Sequence, residues 1–415
     1  MKRKAVLSLL TAALTSPLFA AQGPVPKGVP HLDHVFVIMM ENHGYSQIVG
    51  NPNAPFINSY ARAKNTATNY FAVAHPSLTN YLEVVGGSNF GVLDDNSPDW
   101  HNPSCMPNLQ TGSPSLETTS TAICPIAGTG TDAATPAIDF SNETSGPPGD
   151  INIDGTASFP AEANTLGITI ADQLVAANKS WRSYQESLPT TGADNVDYSD
   201  GFFTNLTDFG QIMPTLNPPL SSGDVVQLYA AKHDPFVYFS SVQGGEQQKN
   251  SLSNVVGFNE LFADLGSGHV RNYSFIAPNQ CNDQHGRSNA GAFCNFDPND
   301  DGTQAGLNPA LIYLGDVTVQ RLVTGIKNSP AWRQGNNAIV ILWDENDYSV
   351  SPTTNQVLTI VDTNYGIHGV HSTGFYTHFS LLKSIEAGFG LPCLNHACDA
   401  NVNVMSDLFG AKRSR

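Results

Sequence analysis

The sequence predicts an α/β fold built on a central, mostly parallel sheet. Three nearly uninterrupted apolar runs have the length typical of strands that are buried on both faces. They span residues 34–40, 273–277 and 338–343. Three segments with helical spacing of apolar residues alternate with these runs. They span residues 77–85, 311–326 and 378–389. Alternating strands and helices place helices on both faces of a parallel sheet, so we expect a three-layer sandwich.

Four further segments complete the predicted architecture. Residues 235–239 are expected to form another buried strand, residues 181–184 a short extended segment, and residues 165–178 a helix. Residues 94–159 are rich in Pro, Ser, Thr, Gly and Asn and lack periodicity, which predicts a loop-rich insertion that caps the domain. No internal repeat marks a second unit. Residues 21–415 are therefore expected to form a single domain.

The first 20 residues have the parts of a secretory signal peptide. A basic head, Met1–Lys4, precedes a short apolar stretch at residues 5–14, and small residues follow Pro17. We expect cleavage after Ala20 or Ala21. The pattern predicts export to the periplasm or to the medium.

The six cysteines take their meaning from this predicted export. An even number of cysteines in an oxidising compartment favours disulfides over a thiolate metal site. Proximity in sequence suggests three pairs, although it does not exclude the other connectivities. These pairs are Cys105 with Cys124, Cys281 with Cys294, and Cys393 with Cys398.

Charge and composition exclude several classes of function. The chain has 36 Asp+Glu against 19 Lys+Arg, a net charge of −17, whereas a nucleic-acid-binding protein needs a basic surface. Hydrophobic residues make up 40% and charged residues 13%, which argues against disorder. No apolar run reaches the roughly 18 residues of a membrane-spanning helix. We therefore expect no nucleic-acid partner and no integral membrane association, and no feature indicates an obligate protein partner.

Polar side chains follow three of the predicted strands. Glu41 and Asn42 come after the first strand, residues 278–285 after the second, and residues 344–347 after the third. Acidic residues after strands are often ordinary turn formers. The carboxyl ends of parallel strands, however, meet at one edge of a sheet, where ligands bind. With Ser77 at a predicted helix start, this pattern indicates a metal site of carboxylates and imidazoles.

Five motifs in these regions resemble one known family. The motifs are Met39–His43, His75–Tyr81, Asn279–His285, Trp343–Glu345 and Tyr376–Ser380. Together they resemble the bacterial and fungal phosphoesterase family, which holds secreted acid phosphatases and phosphocholine-type phospholipases C within the alkaline-phosphatase superfamily. The resemblance extends from Val35 to about Pro392. It implies an alkaline-phosphatase-like fold and the hydrolysis of phosphoric esters.

The resemblance also implies roles for individual residues. Ser77 matches the nucleophile and a metal ligand, and Asn42 matches a residue beside the bound phosphoryl group. His75 is a further catalytic candidate, and His371, in a Gly-rich loop, is a substrate-side candidate. The positions that match metal ligands are Glu41, Asp283, His285, Asp344, Glu345 and His378. Of these, His285 is also a candidate for phosphate binding.

The chemistry expected of these residues is consistent with their types. A serine hydroxyl is a poor nucleophile until a base or a cation activates it. A helix start favours an incoming phosphate through its free N–H groups. The expected course is attack by Ser77, formation of a phosphoserine and hydrolysis by water. One or two divalent cations are expected, with Zn, Mn, Fe, Ca and Mg all open.

The predicted function is that of an exported acid phosphatase acting on small phosphoric monoesters. A phospholipase C acting on phosphodiester head groups is the alternative within the same family. A non-catalytic exported binding protein with the same fold is a second alternative. The sequence contains no Gly-x-Ser-x-Gly motif and no Gly-x-x-x-x-Gly-Lys motif, so lipase-type and ATP-driven chemistry have no support.

Overall fold

A computed structural model describes most of the chain. The described residues are 22–90, 95, 131–133, 158–160, 168–188, 228–243, 249–287, 290–299, 302–346 and 355–410. The predicted signal peptide, residues 1–20, lies outside them. So does most of the predicted insertion at residues 94–159 and the predicted Cys105–Cys124 pair.

The described residues form twelve strands. These are His34–Met40 (β1), Asn65–Ala67 (β2), Tyr70–Phe71 (β3), Thr131–Ala133 (β4), Ser158–Pro160 (β5), Trp181–Gln185 (β6), Val255–Gly257 (β7), Tyr273–Ala277 (β8), Asn337–Trp343 (β9), Thr359–Thr363 (β10), His371–Ser372 (β11) and Tyr376–Thr377 (β12). The α-helices are Tyr45–Ile48 (α1), Pro55–Ala63 (α2), Ser77–Gly86 (α3), Ile170–Ala176 (α4), Ser240–Gln243 (α5), Phe258–Ser267 (α6), Pro309–Asn328 (α7) and His378–Phe389 (α8).

Eight strands form one central sheet in the order β11-β2-β10-β9-β1-β8-β6-β7. The five strands from β9 to β7 are all parallel to their neighbours. Strand β10 pairs antiparallel with both β9 and β2. The sheet is therefore mixed but mostly parallel, as predicted. The antiparallel strand and the short edge strands β2 and β11 were not predicted.

Helices cover both faces of this sheet. In β1, every residue from Val35 to Met40 has a completely buried side chain, although successive side chains point to opposite faces. Helix α3 packs against α4 and α8, whereas α7 packs against α2 and α6. These two groups supply the outer layers, and the predicted three-layer α/β architecture is confirmed.

Most of the predicted elements begin and end where the sequence indicated. Strands β1 and β8 and helix α8 have the predicted limits, whereas α3 is one residue longer than predicted and α7 is two residues longer at each end. Helix α3 ends at Gly86 and is followed by Gly87, whose φ of 70° favours glycine. Helix α4 begins at Ile170, after the side chain of Thr169 caps its first turn.

The prediction of a strand at residues 235–239 is wrong. Residues Pro235–Tyr238 form a 3₁₀-helix that follows another at Ala231–His233. The whole run is buried, so its hydrophobicity could not separate a strand from a buried helical turn. Pro235 lacks an N–H group and has a fixed φ, which suits the first turn of a helix.

Two of the three predicted disulfides lie within the described residues, and both are present. Cys281 is bonded to Cys294, and Cys393 is bonded to Cys398. The first bond closes the loop that follows β8, and the second lies after α8. Among the described helices, none has the length and hydrophobicity to cross a lipid bilayer.

Candidate active site

The carboxyl ends of three adjacent parallel strands form the base of the site. Because β9, β1 and β8 are neighbours, the residues that follow them are brought together. The Glu41 amide donates to the Asp283 carbonyl at 2.9 Å, and the Asp344 amide donates to the Met40 carbonyl at 3.0 Å. The convergence predicted from the strand ends is therefore present.

Asn42 turns the chain away from β1. Its φ of 55° lies in the left-handed region, which asparagine tolerates better than most residues. Its backbone N–H donates to Asp344 Oδ1 at 2.9 Å. This bond fixes the Asp344 carboxylate beside Glu41, so Asn42 contributes to the site through its backbone.

Ser77 is the first residue of α3 and its hydroxyl points into the carboxylate cluster. Its Oγ lies 3.2 Å from Glu41 Oε2 and 3.3 Å from Glu345 Oε1. The side chain is 2% exposed. Carboxylates only accept hydrogen bonds, so the hydroxyl donates to one of them at a time. The structure therefore places the hydroxyl of the predicted nucleophile between two carboxylates at a helix start.

Two residues close to Ser77 in sequence contact the Glu345 carboxylate. His75 Nδ1 lies 2.9 Å from Glu345 Oε2, and Asn80 Nδ2 donates to the same oxygen at 3.1 Å. The Asn80 side chain also accepts from the backbone of Val73 and Ala74, so it fixes the loop before α3. His75 therefore contacts a predicted metal ligand in the described structure.

His233 completes the site, although its role was not predicted from the sequence. Its Nε2 lies 3.2 Å from Glu41 Oε1, and its Nδ1 lies 3.1 Å from Asp283 Oδ2. The ring stacks on Tyr81 of α3 at 5.4 Å between centroids. The residue lies on the 3₁₀-helix before the segment that was expected to be a strand. Its one sequence signal was the ionisable run of Lys232, His233 and Asp234.

Lys232 and Asp95 lie beside the start of helix α3. Lys232 Nζ is 2.8 Å from Asp95 Oδ2 and 3.2 Å from His285 Nε2. Asp95 Oδ1 accepts from the backbone N–H of Leu78 at 3.0 Å. The Asp95 carboxylate thus accepts hydrogen bonds from a lysine and from an amide at a helix N-terminus. Both kinds of donor also recognise phosphate oxygens.

Three residues have the arrangement of metal ligands. Glu41, His233 and His285 each offer one ligand atom, and these atoms all lie within 4.8 Å of one another. His285 Nδ1 lies 2.8 Å from the Gly286 carbonyl, which holds the proton on that nitrogen and leaves Nε2 as an acceptor. Carboxylate and imidazole are ligands for several divalent cations.

The burial of so many carboxylates also indicates a cation. Glu41 Oε1 and Asp283 Oδ2 are buried with the His233 ring as their neighbour, and Asp344 Oδ2 is buried without a hydrogen bond among the described residues. Burial raises the pKa of Glu41 well above its usual range, and the charges of Asp344 and Asp283 raise it further. Burial, aided by the charge of Glu345, raises the pKa of Asp344 to about 8. A divalent cation would offset this cost, so the residues fit a bound metal.

His378 contacts the site but both of its ring nitrogens are engaged by protein groups. Nε2 lies 2.6 Å from the Asp344 carbonyl and Nδ1 lies 3.0 Å from the Tyr70 hydroxyl. A carbonyl only accepts, so Nε2 carries the proton and Nδ1 accepts from Tyr70. Burial lowers the pKa of His378 to about 4, in agreement with a neutral ring. In the structure His378 positions Asp344, and it presents no nitrogen to a metal.

His371 does not join the cluster. It is exposed on β11 at one edge of the sheet, and strands β2, β10 and β9 separate it from β1. Neighbouring strands are about 4.8 Å apart, so the separation across the sheet is roughly 19 Å. The predicted substrate-side position of His371 has no support from this placement.

Comparisons with known proteins show the family to which the chain belongs. The model of the phosphoesterase family matches residues 51–294, more than half of the chain. The phosphatidylinositol-3-phosphatase of Mycobacterium tuberculosis is 24% identical over 98% of this chain and 93% of that protein. The acid phosphatase of Aspergillus fumigatus is 23% identical over 88% of this chain and 57% of that protein. The phosphate-repressible acid phosphatase of Penicillium chrysogenum is 23% identical over 89% of this chain and 62% of that protein.

The chain therefore spans nearly all of the mycobacterial relative but about three fifths of these fungal ones. Among solved structures, a protein of the alkaline phosphatase superfamily from Vibrio parahaemolyticus aligns with 93% of this chain and 74% of its own, at 10% identity and a TM-score of 0.44. The phosphonate monoester hydrolase of Agrobacterium radiobacter aligns with 92% and 78%, at 8% identity and a TM-score of 0.45. On the match of the family model, the chain belongs to the phosphoesterase family of phosphoric ester hydrolases.

Proposed function

We propose that the protein is an exported, metal-dependent phosphatase that hydrolyses phosphoric monoesters through a phosphoserine at Ser77. The observation that carries the proposal is the position of the Ser77 hydroxyl. It lies at the start of α3, between the Glu41 and Glu345 carboxylates and beside a set of metal-ligand atoms. A binding protein would need no such hydroxyl within reach of proton acceptors.

Each side chain of the site has a proposed role. Glu41, His233 and His285 would hold the cation, with Asp283, Asp344 and Glu345 around it. When bound, a divalent cation supplies positive charge to the phosphoryl oxygens and lowers the pKa of a hydroxyl that it touches. Ser77 Oγ donates its proton to a neighbouring carboxylate and attacks phosphorus.

Attack by Ser77 breaks the bond between phosphorus and the ester oxygen, and the alcohol leaves with a proton. Water then attacks the phosphoserine, which releases phosphate and restores the serine hydroxyl. Lys232 and the Leu78 N–H, which hold the Asp95 carboxylate in the structure, would receive phosphoryl oxygens during these steps.

Two observations support monoesters over the phosphodiesters of a phospholipase C. The curated relatives described above are named phosphatases, which act on monoesters. The mature chain would also be more acidic than the full-length chain, because cleavage of the predicted signal peptide removes Lys2, Arg3 and Lys4. An anionic membrane surface would repel it.

A second substrate class is a monoester on a lipid head group. It is favoured by the name of the mycobacterial relative, phosphatidylinositol-3-phosphatase, whose length this chain nearly spans. The chemistry at Ser77 is the same for both classes, because only the leaving group differs. We give priority to soluble monoesters, since an anionic membrane would repel a chain with a net charge of −17.

A comparison of substrates tests the proposal. We expect kcat/KM for p-nitrophenyl phosphate to exceed that for bis-p-nitrophenyl phosphate and for phosphatidylcholine vesicles by at least about 100-fold. Vesicles that contain phosphatidylinositol 3-phosphate form a fourth arm, and the chelated protein is the blank. Faster cleavage of the diester or of phosphatidylcholine would establish the phospholipase function instead. Faster cleavage of phosphatidylinositol 3-phosphate would select the lipid monoester.

Export is the part of the proposal that rests on the sequence and on the disulfides. The Cys281–Cys294 and Cys393–Cys398 bonds agree with an oxidising compartment. We propose that residues 1–20 are removed and that residues 21–415 act as one catalytic domain. The mass of the exported protein would show the cleavage directly.

A further inference from the structure

A cavity lies at the opposite end of the central sheet's strands from the candidate active site. Its volume is about 520 Å³, within the range of cavities that hold small molecules. It lies where β6, β7 and β8 begin, whereas the catalytic candidates lie where strands end. We call it the amino-end pocket. Its lining residues are Asn178, Lys179, Ser180, Trp181, Arg182, Lys249, Ser253, Asn254, Arg271 and Asn272.

The charge of the amino-end pocket is opposite to that of the chain. Its ten lining residues include four cations and no carboxylate. The whole chain has 19 Lys+Arg in 415 residues and carries a net charge of −17. Cations repel one another, so their concentration in one concave surface of an acidic protein requires an explanation.

Carboxylates neutralise only a part of this charge. Arg182 Nη1 lies 2.5 Å from Asp264 Oδ2, and the same oxygen accepts from the Tyr184 hydroxyl. Lys179 lies over the ring of Phe389, at 5.4 Å from its centroid. Within the described part of the chain, Lys249 and Arg271 have no ion pair. Three of the four cations are thus left without a described carboxylate.

The walls of the pocket are held by hydrogen bonds between the elements that form it. Ser180 and Asn272 bond reciprocally, since the Ser180 N–H donates to Asn272 Oδ1 and the Asn272 N–H donates to Ser180 Oγ. Asn254 Nδ2 donates to the Trp181 carbonyl. These bonds join the starts of β6, β7 and β8, so the cations are carried by fixed elements and the pocket exists before any ligand binds.

We propose that the amino-end pocket binds a small polyanion with several phosphate or sulfate groups. Arginine presents a planar fork of N–H donors to tetrahedral oxyanions, and lysine adds a point charge. Amide and hydroxyl groups of the lining supply neutral donors. Because the rest of the chain is strongly acidic, a long polyanion would be repelled outside the pocket. The ligand is therefore small enough to lie within it.

The site is distinct from the candidate active site, and its test does not depend on turnover. The probe is myo-inositol hexakissulfate, which carries multiple charges and has no phosphoric ester to hydrolyse. Isothermal titration calorimetry is performed on the full-length, metal-loaded protein in about 0.15 M salt, with orthophosphate as a second ligand. We expect one site for the sulfate probe, at which orthophosphate binds much more weakly because it offers a single tetrahedral group.

Variants then locate this site. The double variant Lys249→Gln/Arg271→Gln should weaken binding of the sulfate probe at least about tenfold, with hydrolysis of p-nitrophenyl phosphate unchanged within about twofold. The matched control, Lys27→Gln/Arg62→Gln, removes the same charges from exposed positions outside the pocket. It should leave the affinity within about twofold. Thermal unfolding of both variants confirms that each is folded.

Three results would overturn the proposal. The first is the absence of binding of the sulfate probe to the wild-type protein. The second is an equal loss of affinity in the control variant, which would indicate attraction by overall charge only. The third is an unchanged affinity of Lys249→Gln/Arg271→Gln for the probe, which would place the probe outside the amino-end pocket. None of these results would affect the proposed phosphatase function, and a failure of that function would leave all three binding measurements valid.

Discussion

The two ends of the central sheet carry opposite charges and bury them to different degrees. At the carboxyl ends of β9, β1 and β8, the carboxylates of Glu41, Asp283 and Asp344 are almost completely buried. At the amino ends of β6 and β8, Arg182 and Arg271 are half-buried. Under the proposed function, the carboxyl end needs a bound cation before it can attract a phosphate, whereas the amino end already offers positive charge.

The difference in burial shows which end of the sheet carries the larger electrostatic cost on folding. Buried carboxylates lose their hydration and repel one another, and the raised pKa of Glu41 and of Asp344 records that cost. Such clusters of perturbed groups are typical of functional sites. Partly exposed cations keep part of their hydration, so the amino-end pocket costs little. The difference in burial supports the proposal that chemistry takes place at the carboxyl end and that the amino end is a surface for binding.

The strongest test of this division is the removal of the Ser77 hydroxyl. If the carboxyl end performs the chemistry, Ser77→Ala should lower kcat for p-nitrophenyl phosphate by about 10³-fold or more, because the variant lacks the hydroxyl that accepts the phosphoryl group. The melting temperature should change little. Rates and calorimetry on the purified variant measure both quantities.

Ser59→Ala is the matched control for this substitution. Ser59 is exposed on α2 and its hydroxyl donates to the Phe56 carbonyl, so its loss should leave kcat unchanged. Quenched mass spectrometry of the wild-type protein would detect a phosphoryl group on the peptide that contains Ser77. Activity of the Ser77 variant above a few per cent of wild type would remove this residue from the mechanism.

A pair of histidines tests which residues belong to the carboxyl-end cluster. His233→Gln should lower the affinity for the bound divalent cation at least about tenfold, since it removes an imidazole within reach of Glu41 and Asp283. His371→Gln should change neither metal content nor rate, because His371 lies at the edge of the sheet. Elemental analysis after dialysis gives the metal content.

The outcome of this pair bears directly on what the sequence predicted, since His371 was a candidate and His233 was not. Equal metal contents in the two variants would show that His233 is only a structural neighbour of Glu41. A loss of metal in the His371 variant would place a ligand at the sheet edge. Either result would require a different metal site from the one described.

The sequence predicted the carboxyl end because that end follows a simple rule. Long apolar strands are recognisable, and the polar residues that follow parallel strands meet at one edge, so the strand pattern alone groups Glu41, Asp283 and Asp344. Ser77 was singled out by its predicted helix start together with the resemblance to the phosphoesterase family. The antiparallel strand β10 was missed, because no comparable rule predicts the direction of an additional strand.

Other parts of the site depend on contacts that sequence does not encode locally. His233 comes from a 3₁₀-helix whose position is set by the stacking on Tyr81, far away in sequence. His378 was expected to bind metal, but the Tyr70 hydroxyl and the Asp344 carbonyl occupy its nitrogens. The amino-end pocket brings together Arg182 and Arg271, which are some ninety residues apart in the sequence. In the sequence, each of them alone resembles an ordinary surface charge.

A final, smaller effect concerns the pH dependence of stability in the chelated protein. The pKa of Asp344 is raised to about 8 in the folded state, against an unfolded value near 4. Between these values the folded protein retains a proton that the unfolded chain has lost. Stability therefore falls as pH rises from about 4 to 8, by up to roughly 1.4 kcal/mol per pH unit for this group.

Asp344→Asn removes this titration, so it should flatten the decline. We expect the melting temperature of the chelated wild type to fall more steeply than that of the variant, by up to roughly 1–2 °C per pH unit for a chain of this length. Glu260→Gln is the control, since Glu260 is exposed on α6. Calorimetry at pH 5, 6, 7 and 8 gives the slopes. Parallel slopes for wild type and Asp344→Asn would show that the carboxyl end is not strained by its buried charge, and the contrast with the amino end would then rest on charge alone.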